Sequence, residues 1–177
     1  MKRFTSALFA TAIVAISMPV IAQKTAGNVV DDNTVNASVK AALIEAKDVP
    51  STGIVVETYK GVVLLSGFVE TQAQKDKAGK AAAGVSGATK VHNALAIQPA
   101  TSMGTKLDDT VITTKVKAAL MDDKEVKSGQ INVETRGGVV SLGGFVTRDA
   151  IQKRAIELAK GVSGVKGVVD AMYVKPN

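Results

Sequence analysis

The 177-residue chain contains no cysteine, no tryptophan and one histidine. Without cysteine there can be no disulfide framework, no thiolate metal site, no cysteine nucleophile and no lipid attached to an N-terminal cysteine. A single histidine excludes multi-histidine metal sites such as H-E-x-x-H. Aromatic residues make up 3% of the chain, too few to build a run of stacking platforms for single-stranded nucleic acid. Proline occurs four times and hydrophobic residues reach 46%, which excludes a disordered chain and argues for folded structure. These absences point away from most enzyme classes and toward a module that binds or protects.

Lys2 and Arg3 precede an apolar stretch from Ala7 to Ile16. Pro19 and the small-residue pattern Val20-Ile21-Ala22 follow. The pattern is that of a secretory signal peptide spanning 1–22, cleaved after Ala22. The apolar run is broken by Thr11 and ends at Ser17 and Pro19, short of the roughly 20 residues a membrane span needs. Cleavage lowers the formal net charge from +6 to +4, so the mature chain is only mildly basic. Export together with a cysteine-free chain predicts the periplasm, a compartment in which nucleic acid is not an expected partner.

A shift of 77 positions aligns residues 31–97 with 108–174 without a gap, and 30 of the 67 pairs are identical. Val39-Lys40-Ala41-Ala42-Leu43 recurs as Val116-Lys117-Ala118-Ala119-Leu120, and Gly84-Val85-Ser86-Gly87 recurs as Gly161-Val162-Ser163-Gly164. Residues 98–107 lie between the copies and read as a linker. Each copy reads helix, strand, strand, helix, strand. Val35, Val39, Ala42 and Leu43 have helical spacing, with Asp32 and Asp109 placed to cap the first helix of each copy. Ile54 and Val56 alternate as in a strand. Lys60-Gly61 and Gly137-Gly138 then supply hairpin turns. The return strands put Val63, Leu65 and Gly67, or Val140, Leu142 and Gly144, on the inner face. The second helix carries the stripe Ile151, Ala155, Leu158, Ala159 and Val162 in the second copy. Gln74, Ala78, Ala81, Ala82 and Val85 form a thinner stripe in the first, which predicts weaker packing there. The expected fold class is α+β: two tandem αββαβ domains, each a three-stranded mixed sheet with two helices on one face. Units of about 67 residues are marginal alone, so packing of the two copies is expected to help.

Val-Lys-Ala-Ala-Leu, Ile-x-Val-Glu-Thr, Gly-Val-Val-x-Leu-x-Gly-Phe-Val and Gly-Val-x-Gly with Val-x-Asn/Asp after it occur in this order in both copies. The set resembles the BON domain, and the likeness covers nearly all of the mature chain. The resemblance implies a periplasmic protein of osmotic stress, with a chaperone or envelope-protective role and an affinity for phospholipid surfaces. A lipid-anchored member with two such domains uses the second for anionic phospholipid. The lipobox cysteine of that member is missing here, which predicts a chain without a lipid anchor.

Two surface patterns are candidate binding sites. Opposite the buried stripe of the first helix stand Lys117, Met121 and Lys124 in the second copy, and Lys40, Ile44 and Lys47 in the first. A large apolar side chain flanked by lysines suits an anionic membrane surface. Asp48 and Glu125 weaken that attraction, and an ordinary solvated helix face has the same composition. The outer sheet face of copy one shows Val55, Val62 and Leu64, where copy two has Asn132, Val139 and Ser141. An apolar stripe on one copy is expected to be covered by the other domain or by a second molecule, or to hold clients. His92 stands alone in the last strand and has no cluster of metal-binding partners. Gly137-Gly138 and Gly143-Gly144 lie in a strand–turn–strand run and lack a phosphate-loop pattern. Asp122-Asp123-Lys124-Glu125 lacks the ligand spacing of a calcium loop and reads as a helix end. No catalytic residues, cofactor or metal are expected. The expected partners are an anionic phospholipid surface or unfolded periplasmic proteins, with docking onto another envelope protein as the alternative. The expected oligomeric state is a monomer or a weak homodimer.

Overall fold

The computed structural model describes residues 31–176, so the signal-peptide reading of 1–22 lies outside the described residues. Domain one runs α1 (Asp32–Glu45), β1 (Ile54–Tyr59), β2 (Val62–Val69), α2 (Gln72–Ala83), β3 (Lys90–Asn93) and β4 (Ala96–Ile97). Domain two runs α3 (Met103–Asp122), β5 (Asn132–Arg136), β6 (Val139–Val146), α4 (Asp149–Lys160) and β7 (Gly167–Val174). A short 3₁₀ turn, Ser51–Gly53 or Ser128–Gln130, precedes the first strand of each. The architecture is α+β with one αββαβ unit per repeat. The first strand pairs antiparallel with the second, and the last returns through a helix to pair parallel with it. Val62 lies opposite Lys90 and Val139 opposite Gly167, so both domains keep one register. β3 and β4 are one interrupted strand, since Phe68 opposite Ala96 keeps the same offset. α3 begins at Met103, which makes 103–107 helical and leaves a shorter extended connection.

Each sheet holds its two helices on one face. Val35, Val39 and Leu43 from α1, with Ala78 and Ala82 from α2, close over Val56, Val63, Leu65, Val69 and Leu95. Ile112, Val116, Leu120, Ile151, Ala155 and Ala159 close in the same way over Val133, Val140, Leu142 and Met172. The thin stripe of α2 has a polar counterweight. Gln74 leaves the stripe and completes a capping box: its Oε1 accepts from Thr71 N, and Thr71 Oγ1 accepts from Gln74 N. In α4 the same position is the buried Ile151, and no side chain caps the helix. The two repeats thus anchor one helix start by different means, hydrogen bonding in one and apolar burial in the other.

The expected helix-capping role of Asp32 and Asp109 is not what these residues do. Lys60 N and Gly61 N donate to Asp32 Oδ2 and Oδ1 at 2.6 and 2.8 Å. Gly137 N and Gly138 N donate to Asp109 at 2.8 Å each. Both central residues of each turn have positive φ: 49° and 75° at Lys60 and Gly61, 63° and 82° at Gly137 and Gly138. Such a turn aims adjacent amides the same way, and a carboxylate from the first helix satisfies both. In domain two the carboxylate lies inside α3, well past the helix start, and is 5% exposed. The aspartate ties the helix to the hairpin, a long-range bond that local capping rules do not reveal.

The opposite faces of the two sheets meet each other. β2 and β6 are buried along seven of their eight residues, because helices cover one face and the partner sheet covers the other. Ser66 stands against Gly143, its own counterpart in the repeat. Tyr59 packs on Phe145 with centroids 5.6 Å apart, while Arg136, the counterpart of Tyr59, lies 5.6 Å from the Phe68 ring. Lys175 Nζ sits 4.5 Å from the Tyr59 centroid, and Arg136 Nη1 donates to the carbonyl of Gln98, the counterpart of Lys175. Contacts in exchange-related pairs are the pattern of an isologous dimer, here made within one chain.

Candidate functional site

The two lysine-flanked patterns occupy equivalent places on the molecular surface. Val39 and Leu43 fix α1 against its sheet, which turns Lys40 and Ile44 outward. Ile44 is 72% exposed, and Met121 on α3 is 71% exposed. Lys40 and Ile44 border a groove of about 280 Å³ that is floored by Leu43, Ile54 and Val56. Lys117 and Met121 border a groove of about 310 Å³ over Leu120 and Ile131. The 3₁₀ turn before β1 or β5 forms the far wall of each. The third residue of each pattern stands apart. Lys47 follows the end of α1, where its carbonyl accepts from Lys77 Nζ, and Lys124 follows α3 beside Asp122, Asp123 and Glu125. Helical extrapolation carried both lysines onto the face, but the chain has left the helix by that point.

α3 adds an apolar line that α1 does not match. Leu107, Val111, Thr114, Ala118 and Met121 recur at spacings of four and three residues, and all are exposed. Lys106 and Lys117 border this line on one side. Thr34, Ala37 and Ala41 hold the equivalent places on α1 before Ile44. This signal was legible in the sequence, but it becomes visible only when α3 is known to begin inside 98–107. Among the described residues no helix is long and apolar enough to cross a membrane.

The other sequence candidates have different surroundings. Leu64 is fully buried between the sheets, and Val55 and Val62 are half-buried at that layer. His92 packs edge-on to Tyr173, with centroids 5.5 Å apart, in the same layer. Asp123 accepts from Glu125 N and Val126 N through Oδ1 and from Arg154 Nε through Oδ2. The Glu125 amide and the Arg154 side chain hold its carboxyl below the usual range. The Asp122–Glu125 segment is therefore organised by its own bonds as a helix end. Glu57, which no local pattern singles out, lies on β1 between Val56 and Thr58. Burial pushes its carboxyl up, opposed by the Asn132 amide and the Lys175 ammonium of domain two. Its Oε2 is buried without a hydrogen-bond partner among the described residues.

The paired αββαβ units, the matched registers and the repeated motif set have a known counterpart. The BON domain family matches the chain twice, over residues 31–99 and 108–176. The protein belongs to the BON domain family. It is 44% identical over 151 residues to the Osmotically-inducible protein Y of Escherichia coli (strain K12), an alignment covering 84% of this chain and 75% of that protein. It is 34% identical over 147 residues to the Outer membrane lipoprotein DolP of Haemophilus influenzae, covering 82% and 76%. A 21 kDa hemolysin of Actinobacillus pleuropneumoniae is 33% identical over 154 residues, covering 86% and 79%. The BON resemblance read from the motifs thus holds for both repeats.

Proposed function

We propose that this two-BON protein is a non-enzymatic, stress-protective component of the bacterial periplasm that makes weak contact with anionic membrane surfaces. An envelope location is supported by the relation to an outer membrane lipoprotein, and a stress role by the relation to an osmotically inducible protein. The observation that carries the reading is the exposed line from Leu107 to Met121 on α3, bordered by Lys106 and Lys117. An apolar ridge with lysines beside it can enter the headgroup region while the ammonium groups face phosphate. Each lysine near such a surface contributes about 1 kcal/mol at low salt. Domain two is the stronger contact, because α1 offers only Ile44 at the matching ridge. Holding unfolded clients is the weaker reading. Leu64, Phe68 and Phe145 of the outer sheet faces are buried, and Val55 and Val62 there are half-buried, which leaves little apolar area for a client.

Vesicle co-sedimentation tests the proposal. Binding is expected to rise with the anionic lipid fraction and to fall with salt. Lys117→Glu with Met121→Asp changes two exposed side chains and leaves the fold intact. The loss of one lysine, a new negative charge and a lost apolar contact together predict roughly 30–100-fold weaker binding. Unchanged vesicle affinity in that double variant, or wild-type binding indifferent to lipid charge, refutes the surface reading. Suppression of client aggregation without vesicle binding favours the holding role instead.

A further inference from the structure

We infer that the cleft between the domains binds a small anionic polyol, of the class of a glycerol or sugar phosphate. The cleft is an open groove of about 590 Å³ between Thr52, Gly53 and Phe68 of domain one and α3 with β5 of domain two. That volume falls within the range of small-molecule sites. Lys106, Lys117 and Arg136 line it, and among the described residues none of the three makes an ion pair. Glu134 is the acid left free on the wall, since Asp109 is engaged by the hairpin amides. Three cations against two carboxylates, Asp109 and Glu134, leave the cleft one positive charge in excess.

Arg136 is held ready for a ligand. Its guanidinium lies over the Phe68 ring, and Nη1 donates to Gln98 O at 3.1 Å. Those contacts fix the plane of the group and leave most of its five donors unused among the described residues. A fixed fork with spare N–H groups suits a phosphate or carboxylate in two-point contact.

Three hydroxyls on the α3 side of the wall favour a polyol over a bare anion. Thr110 Oγ1 donates to Lys106 O, Thr114 Oγ1 donates to Thr110 O, and Thr113 Oγ1 donates to Thr135 Oγ1. The protons of these three of the six threonine hydroxyls on the wall are thus committed within the protein, and their lone pairs are what they can offer, whereas Thr52, Thr101 and Thr135 donate no hydrogen bond among the described residues. Lone pairs repel an anion but accept from ligand O–H groups. Cations at Arg136 and the lysines, with acceptors between them, match a molecule that carries an anionic group on a hydroxylated carbon frame. The fold does not require this set. At the corresponding places domain one has Tyr59, Asn33, Asn36 and Ala37 for Arg136, Thr110, Thr113 and Thr114. The site shares Lys106, Thr114 and Lys117 with the edge of the ridge around Met121 and adds Arg136 and the wall from domain one, so the ligand would span both domains.

Calorimetric titration of the full mature chain with sn-glycerol 3-phosphate and with inorganic phosphate tests the inference. Glycerol 3-phosphate is expected to saturate with a Kd on the order of 0.1–1 mM, and phosphate to bind at least about 5-fold more weakly. Lys106→Gln, at an exposed position that threatens no core contact, should weaken binding about 3- to 10-fold, and Arg136→Gln by more. Thr114→Val should weaken glycerol 3-phosphate and spare inorganic phosphate. Met121→Asp should leave both unchanged, which separates this site from membrane contact. Competition by phosphatidylglycerol vesicles would identify a lipid headgroup as the source of the same chemistry, and lack of competition a free solute. Absence of saturation below about 20 mM, or equal affinity in Lys106→Gln and wild type, overturns the proposal. Equal binding of phosphate and glycerol 3-phosphate overturns its polyol part.

Discussion

The place where Ser66 meets Gly143 allows one small side chain but not two. A Cβ built on Gly143 would overlap Ser66 Oγ and lie 2.5 Å from Ser66 Cβ. Carbon atoms in contact sit at about 3.5–4.0 Å, so Gly143→Ser demands roughly 1 Å of separation at the centre of the sheet–sheet layer. Both strands are central in their sheets and cannot move alone, and overpacking at such a place costs about 1–3 kcal/mol. Ser66→Gly alone costs less, about 0.5–1 kcal/mol for a glycine in a strand. The exchange-related geometry makes the double variant informative. In Ser66→Gly with Gly143→Ser the new hydroxymethyl group enters the space the old one left, and most of the lost stability should return. Urea unfolding followed by tyrosine emission is a suitable assay, because Tyr59 and Tyr173, the two tyrosines of the chain, both lie in this layer. With a urea slope of about 2 kcal/mol per M, the Gly143→Ser midpoint should fall by roughly 1 M and the double variant should recover most of it. A double variant no more stable than Gly143→Ser refutes the exchange-related packing.

Three further outcomes follow from the same geometry. Gly67 and Gly144 have φ of 103° and 139°, and a Cβ there would overlap the carbonyl oxygen of Gly53 or Gln130. Alanine at either position should cost more than about 3 kcal/mol or abolish folding, read by circular dichroism. Asp109→Ala leaves two hairpin amides without their acceptor and should cost about 2–4 kcal/mol, with faster hydrogen exchange at Gly137 and Gly138. Glu57 has its carboxyl pKa raised in the folded state above 4.5, chiefly by burial. The folded protein then holds that proton over a range where the unfolded chain has lost it, so stability falls as pH rises from about 4.5 through the raised value. Glu57→Gln should stabilise the protein at neutral pH, and the gain should vanish below the ordinary carboxylate range. A gain independent of pH would mean that the charge on Glu57 does not oppose folding.

Some features required only local patterns to be read. The repeat, its period, the order of elements and the inner-face residues of each strand followed from identity at a fixed offset and from the 3.6- and 2-residue periods. Hairpin turns followed from glycine at the right spacing. Lys40 with Ile44, and Lys117 with Met121, were legible for the same reason, since a helix alone fixes which neighbours share a face. The local rules failed at chain reversals and across distance. Lys47 and Lys124 were projected past the helix ends. Gln74 was read as part of an apolar stripe, although its hydrogen bonds to its own helix start won. Asp32 and Asp109 were assigned to the nearest orphan amides, although the amides they bind lie 28 and 29 residues away.

The sequence by itself determined that one αββαβ unit is written twice, because backbone propensity and apolar periodicity act over a few residues and both copies carry the same pattern. Tertiary structure alone decided what the copies do to each other. Alternation places Leu64, Ser66 and Phe68 on the outer face of a sheet, and no local rule says what that face meets. The answer depends on the fit of one surface to another: Ser66 against Gly143, Tyr59 on Phe145, Arg136 over Phe68. The cleft that gathers Lys106, Lys117 and Arg136 exists only because that fit brings the Ser51–Gly53 turn beside α3, through contacts between residues tens of positions apart in the chain.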